Sequence, residues 1–394
     1  TLDWSGKPPV IPSSSLYDLA SLTKVVGTTA AVMILYDDGK LELDAPVKRY
    51  VPGFSGGLKD QVTVRQLLTH RSGLPAGRDL WRIARTPDQA RQAVIDTKLD
   101  YKPGVHYEYS DLGADMLGFV VEAISGQRLD AFLEKRMFGP LGMDNTEFRP
   151  ADSVRYRSAP TEVAPPRGYP IRGEVHDENA YALGGIAGHA GLFSTAADLS
   201  VFAQMMLNGG VYNGVRVLNE ETVRLFSTRS AGSRALGWDT AEGGVGAGRY
   251  LSDRAFGHTG YTGTSMWIDP DREMFVILLT NRVHAARARR PAKVIADVRA
   301  DLADAAAFAV VDLPSYYMAT AVDFRADRAV GWNEPVAVRK TTAAQSARSK
   351  AAAQARAKKA KAAAASKAKA TTASKAKAST TTAGAGGKGK TKGS

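Results

Sequence analysis

Cysteine is absent from all 394 residues, so neither disulfides nor thiolate metal sites contribute to this fold. That absence does not choose a compartment, because cysteine-free chains occur on both sides of a bacterial membrane. No apolar run approaches the ~18 residues needed to span a bilayer, and no charged-then-apolar leader precedes Thr1. The chain opens on Thr rather than Met, which fits a removed leader or a trimmed start. Acidic residues are missing altogether from 339–394, which hold 15 Lys and Arg, leaving 37 basic and 40 acidic residues before them. The net charge of +12 therefore belongs to the tail, and a near-neutral body is not read as a polyanion-binding surface.

What is present is enough to bury a substantial core. A hydrophobic content of 44% over this length suggests two structural units with an appendage. The spacing predicts a largely buried helix from Ser21 to about Gly39, then an irregular connector from Leu41 to Pro52. Thr63-Val64-Arg65-Gln66 is a capping-box pattern that starts a second helix. Residues 79–98 read as an exposed helix, and Val105 to Tyr109 as a short extended piece ahead of a helix capped by Asp111. Residues 150–191 are loop-rich, and a helix from about Ala196 to Leu207 follows. Ser265 to Ile268 and Met274 to Leu279 form a hairpin across Asp269-Pro270-Asp271-Arg272, and Pro291 opens a last helix through about Phe308. That order is α+β, an antiparallel sheet flanked by helices with a mostly helical subdomain at about 41–190. The domain ends near 309. Residues 310–338 form a linker without an assignable element, and the Ala/Lys-rich segment from 339 has the composition of a disordered tail.

Ser21-Leu22-Thr23-Lys24 places a hydroxyl and an amine on one face of one helical turn. The pattern alone is weak, since Ser366/Lys369 and Ser374/Lys377 repeat it within the tail. Only the Ser21 copy precedes an apolar run. A serine needs a base within reach, donors for the oxyanion and a second proton carrier. Lys24 is the candidate base, and burial near a helix N-terminus is expected to lower its pKa. Tyr109, at a strand-to-helix corner, is the second proton carrier. His258-Thr259-Gly260 precedes the Ser265 strand, and Gly260 and Gly263 allow close approach of substrate to backbone. The N–H groups of Ser21 and Tyr261 complete an oxyanion hole. Asp111 is read either as a site residue or as a helix cap only. His176, Asp177 and His189 match no defensible metal spacing, so no metal and no cofactor is assigned; His70, His106 and His284 are assigned no role.

Ser21-x-x-Lys24, Tyr109-x-Asp111 and His258-Thr259-Gly260, with Tyr109 and His258 standing 88 and 237 residues after Ser21, resemble the serine β-lactamase and penicillin-binding protein superfamily. YDLASLTKV, VTVRQLLTHRSGLP, YSDLGADMLG, GGIAGHAGLFSTAADL and FGHTGYTGTSMWIDP look like its class C-like branch of esterases and D,D-peptidases. The resemblance covers roughly Leu16 to Ala309. It implies a β-lactamase/transpeptidase-like fold, peptidoglycan-related or β-lactam substrates and a periplasmic or extracellular location. Three departures stand out. Asp111 replaces a common Asn and donates no hydrogen bond when ionised. His258 replaces a common Lys and, at an unperturbed pKa of about 6.5, gives a weaker pull on a substrate carboxylate. Only twenty residues precede the nucleophile, so the N-terminal strands read as shortened or missing.

The resulting expectation is a serine hydrolase acting through an acyl-enzyme on an ester, amide or β-lactam carbonyl. A catalytically silent binding protein of the same fold, tethered to an anionic polymer by its basic tail, is the alternative. A metal-dependent hydrolase using His176 and His189 is a minor third. Spaced lysines without aromatics favour salt-sensitive binding to anionic polymers over any specific nucleic acid.

Overall fold

The computed structural model describes residue 11, residues 13–243, 246–284 and 292–310, and residue 325. The linker and tail expectations at 310–338 and 339–394 lie outside these residues, apart from residue 325 and Val310, which ends the last helix. Within the described residues, two small antiparallel sheets and a set of helices hold the Ser21 segment between them.

The four-stranded sheet runs Asp239–Thr240, Phe256–Thr259, Ser265–Asp269, Met274–Leu278 in both sequence and space. His258 pairs with Met266 and Thr259 with Ser265, so the register leaves Gly260 to Thr264 as the turn at the edge facing Ser21. The expected hairpin closes with Asp269 opposite Met274, and Asp269 accepts from the N–H groups of Asp271 and Arg272. Among the described residues no strand N-terminal to Tyr17 joins this sheet. Tyr17–Asp18 instead pairs with Leu192–Ser194, which also takes Glu147–Phe148, in a separate three-stranded sheet.

Helices Ala196–Leu207 and Ala292–Val310 lie against the outer strand Met274–Leu278. The last helix sends Arg299 back through the layer, where its guanidinium donates to the carbonyls of Gly260 and Thr264 at 2.6 and 2.9 Å. That buried arginine braces the turn beside Ser21. The capping box forms as its pattern predicts, with Thr63 and Gln66 each accepting from the other's backbone N–H. Residues 79–98 divide into Leu80–Ile83 and Pro87–Asp96, the latter burying Ala90, Val94 and Ile95.

The expected single helix from Ser21 to Gly39 is three consecutive segments: a 3-10 turn at Ala20–Leu22, a π-helical stretch at Lys24–Thr29 and an α-helix at Ala30–Asp37. The polar residues explain why the turn is not uniform. Thr23 accepts from the N–H of Leu192, and Thr28 donates to the carbonyl of Gly188, so both hydroxyls are spent on a neighbouring loop. Val25, Val26, Val32, Met33 and Leu35 are buried, each contributing about 1.5–3 kcal/mol of apolar burial. No helix of the described residues is long and apolar enough to cross a membrane.

Candidate active site

Ser21 stands one residue after a strained backbone. Ala20 has φ of 47°, a left-handed conformation that costs an L-residue about 1–2 kcal/mol. The buried carboxylate of Asp18 holds it there by accepting from the Ala20 N–H at 2.8 Å and, with its other oxygen, from the His176 N–H at 2.6 Å. Thr262 and Thr264 then fasten the sheet turn to this backbone by donating to the carbonyls of Asp18 and Leu19 at 2.7 and 2.9 Å. Gly260 is required at the contact, because a Cβ there would lie 2.4 Å from the Leu19 carbonyl oxygen. Gly260 is thereby seated against Leu19 and Ala20, just ahead of Ser21. Tyr261 itself is exposed, its ring stacked near His176 and under the Arg282 guanidinium.

Lys24 is buried, and its ammonium donates to Ser21 Oγ at 2.9 Å and to the carbonyl of His189 at 3.1 Å. It forms an ion pair with Asp111 Oδ1 at 2.7 Å and lies 5.0 Å from the centre of the Tyr109 ring. The sequence-based expectation of a lowered lysine pKa is corrected here. Burial does pull it down, but the charge of Asp111 and then Tyr109 outweighs burial and leaves Lys24 above its ordinary value. Asp111 is also not the helix cap. Ser110 caps Asp111–Ser125 by accepting from the Gly113 N–H at 3.1 Å, which releases the Asp111 carboxylate to face Lys24.

The Tyr109 corner is fixed from the other side by His70, a residue without a predicted role. His70 Nδ1 accepts from the Ser110 N–H at 3.1 Å, and its ring packs 4.6 Å from that of Tyr109. Burial first, with the nearby Arg234 and Lys24 charges, holds His70 well below its usual pKa, so the imidazole is neutral and free to accept. The short extended piece expected from Val105 to Tyr109 is not a strand: Val105 lies in a turn, and His106 to Tyr109 carry no regular element.

His258 closes the site on the sheet side, its ring 6.0 Å from that of Tyr109. It is buried, Nδ1 donates to the Thr259 carbonyl at 2.9 Å, and Nε2 lies 3.9 Å from Asp239 without a hydrogen bond among the described residues. Burial pushes its pKa down to about 4, with Arg234 and Lys24 opposing protonation against the pull of Asp239. The weak cationic pull expected of His258 is thus absent at pH 7, where the ring is neutral. The permanent cation of this corner is the buried Arg234, paired with Asp239 and donating to the Gly237 carbonyl at 3.1 Å.

Behind Lys24, Gly188 comes so close to helix Asp111–Ser125 that a Cβ would sit 2.0 Å from the Ala114 carbonyl oxygen. This approach delivers His189 to Asp115, a residue one helical turn beyond Asp111. His189 Nδ1 is 2.7 Å from Asp115 and Nε2 is 3.0 Å from Asp177. His176 turns instead to Glu162 at 2.7 Å, so the two histidines face different carboxylates. A separate cleft of about 560 Å³, lined in part by Trp81, Arg85, Arg149 and Tyr181, shares none of these residues.

Ser21, Lys24, Tyr109, Asp111 and His258 therefore converge, with Thr259 and Gly260 continuing the strand beside them. Sequence reasoning missed Asp18, His70, Asp115 and Arg234. Only Asp115 carries a usable signal, its i,i+4 spacing from Asp111 on one helical face.

Known proteins place this arrangement. The Beta-lactamase family model matches residues 5–300. A protein of Escherichia coli (strain K12), provisionally named a D-alanyl-D-alanine carboxypeptidase, is 35% identical over 311 residues, which are 71% of this chain and 72% of that one. The N-acetylmuramyl-L-alanine amidase of Bacillus subtilis (strain 168) is 35% identical over 311 residues, 71% of this chain and 70% of its own. Among solved structures, EstCE1, a hydrolase with promiscuous acyltransferase activity, shares the fold at a TM-score of 0.59 and 22% identity, over 75% of this chain and 87% of that one. Because the family match takes in Ser21 and His258 alike, the chain belongs to the Beta-lactamase family, within the serine β-lactamase and penicillin-binding protein superfamily.

Proposed function

We propose that the chain is a serine hydrolase whose Ser21 forms an acyl-enzyme with an ester or amide carbonyl, and that its substrates are of the peptidoglycan-peptide type. The observation that carries this reading is the 2.9 Å contact between the buried Lys24 ammonium and Ser21 Oγ, with Asp111 at 2.7 Å behind it. Two relatives whose names denote D-alanyl carboxypeptidase and muramyl amidase activity support the substrate class.

The chemistry follows from the charge on Lys24. An ammonium donates to the nucleophile and stabilises its developing alkoxide, but cannot itself accept the Ser21 proton. The reactive form is the one in which the Lys24 and Tyr109 pair has lost a proton. Ammonium with phenolate and amine with phenol are the two arrangements of the proton that remains on the pair. Asp111 favours the first. Ser21 Oγ attacks the carbonyl carbon, and its proton passes to Tyr109. The N–H groups of Ser21 and Tyr261 receive the oxyanion, and Tyr109 returns the proton to the leaving amine or alcohol. Water repeats the sequence to release the acid and restore Ser21.

A neutral His258 makes the recognition of a substrate carboxylate independent of pH near neutrality. For a peptide ending in D-alanyl-D-alanine and for p-nitrophenyl acetate, the ratio of kcat/KM values is expected to change less than about twofold from pH 6 to 8. A histidine of unperturbed pKa would lose roughly 25-fold of its cationic fraction over that range. A ratio that falls accordingly would make His258 the carboxylate anchor. A folded protein that turns over neither compound would defeat the hydrolase reading.

A further inference from the structure

We propose that His189 is a positioning residue. Through a carboxylate–imidazolium–carboxylate bridge to the buried Asp115 and the partly exposed Asp177, it holds Lys24 against Ser21 and sets the pH at which the site becomes reactive. This rests on the reading of Ser21 as nucleophile.

The geometry assigns the charge. Each ring nitrogen of His189 meets a carboxylate oxygen, Asp115 at 2.7 Å and Asp177 at 3.0 Å, and carboxylates accept only. Both nitrogens must therefore be donors. His189 and Asp115 are 2% and 0% exposed at their side chains, so water does not satisfy either in place of the other. The same residue reaches Lys24 through its main chain, accepting from the ammonium at 3.1 Å. A ring pinned from two sides thus locates a carbonyl that locates the ammonium. The Thr28 bond to Gly188 at 2.6 Å and the close seat of Gly188 on the helix fix that loop from a third side.

The charges explain why an imidazolium is needed. Asp111 and Asp115 face this region from one helix, Asp177 from the start of Glu178–Ala182, and Lys24 from the π-helical stretch. Three carboxylates meet two cations. Burial alone would strip the proton from His189, but Asp115, then Asp177 and Asp111, outweigh it and hold the ring well above its ordinary pKa. Asp177 answers in the same direction: burial raises it, while His189 outweighs burial and keeps the carboxyl below its usual range. A buried pair of this kind contributes little net stability compared with apolar packing. Its consequence is electrostatic. Without His189, the carboxylates act on the Lys24 and Tyr109 pair with no opposing cation beside them and tighten the pair's hold on the proton that the reactive form must lose.

The test is the pH profile of kcat/KM for p-nitrophenyl acetate, from about pH 5 to 10, in the intact chain. In His189→Gln the acidic limb is expected to move up by about one unit, with kcat reduced and KM little changed. In Asp177→Asn, where Asn still caps the helix, the limb is expected to move down by a similar amount. A purely structural role predicts loss of activity without opposed shifts. Limbs that stay in place, or that move in the same direction, overturn the proposal while leaving the hydrolase reading intact. If His189→Gln does not fold, an unshifted Asp177→Asn alone overturns it. An inert wild type overturns both readings.

Discussion

Lys24→Gln is expected to lower kcat/KM by about 10³-fold with p-nitrophenyl acetate as substrate, without a comparable loss of folded protein. Glutamine is too short to span from Ser21 Oγ to the His189 carbonyl and carries no charge. It removes the stabilisation of the Ser21 alkoxide and the cation that favours the phenolate form of Tyr109. Losing a positioned proton-transfer group and a charge at the developing oxyanion costs about 10²–10⁴ in rate in comparable sites. Asp111 would lose its partner, and since the Oδ1 facing Lys24 is itself buried some stability is lost as well, but the carboxylate's side chain as a whole is 32% exposed, which limits that loss. A thermal melt alongside the kinetics separates the two effects. A variant within tenfold of wild type would show that Ser21 is activated by some other group.

The second large effect is expected from Tyr109→Phe, a loss of about 10²–10³-fold in kcat with KM close to wild type. The substitution removes one oxygen and keeps the ring packed on His70 and facing His258. The loss is expected to be smaller for p-nitrophenyl acetate than for a peptide amide, because p-nitrophenolate departs without a proton whereas an amine needs one from Tyr109. Equal losses for both substrates would assign Tyr109 to proton removal from the attacking oxygen and not to protonation of the leaving group, and no loss would remove it from the proton path.

The elements that sequence reading identified are those determined within a few residues. The Thr63 capping box, the Ala196–Leu207 helix and the hairpin turn at Asp269 all rest on local hydrogen bonds or local periodicity. The order of Ser21, Tyr109 and His258 was likewise legible, because family motifs are written in the chain. Charge states were not. The lysine pKa depends on Asp111, 87 positions away, and a local reading of the helix end leaves that residue between a site role and a cap, a choice settled only when Ser110 is seen to cap. At His258 the sequence leaves a minor cationic fraction at pH 7, because the burial that removes it is invisible in sequence. The same holds for His189, because nothing local to the chain shows that the fold sets it between Asp115 and Asp177. The uniform helix expected after Ser21 failed for a related reason: Thr23 and Thr28 bond to residues more than 150 positions away.

These placements share one premise, that Ser21 is the atom that becomes covalently modified. Intact-mass spectrometry of the full chain after incubation with a fluorophosphonate tests it directly. The expected result is one adduct per chain, mapped to the peptide containing Ser21 and absent from a folded Ser21→Ala variant. An adduct that survives Ser21→Ala, or a folded wild type that never gains mass, would contradict the assignment of Ser21 as nucleophile.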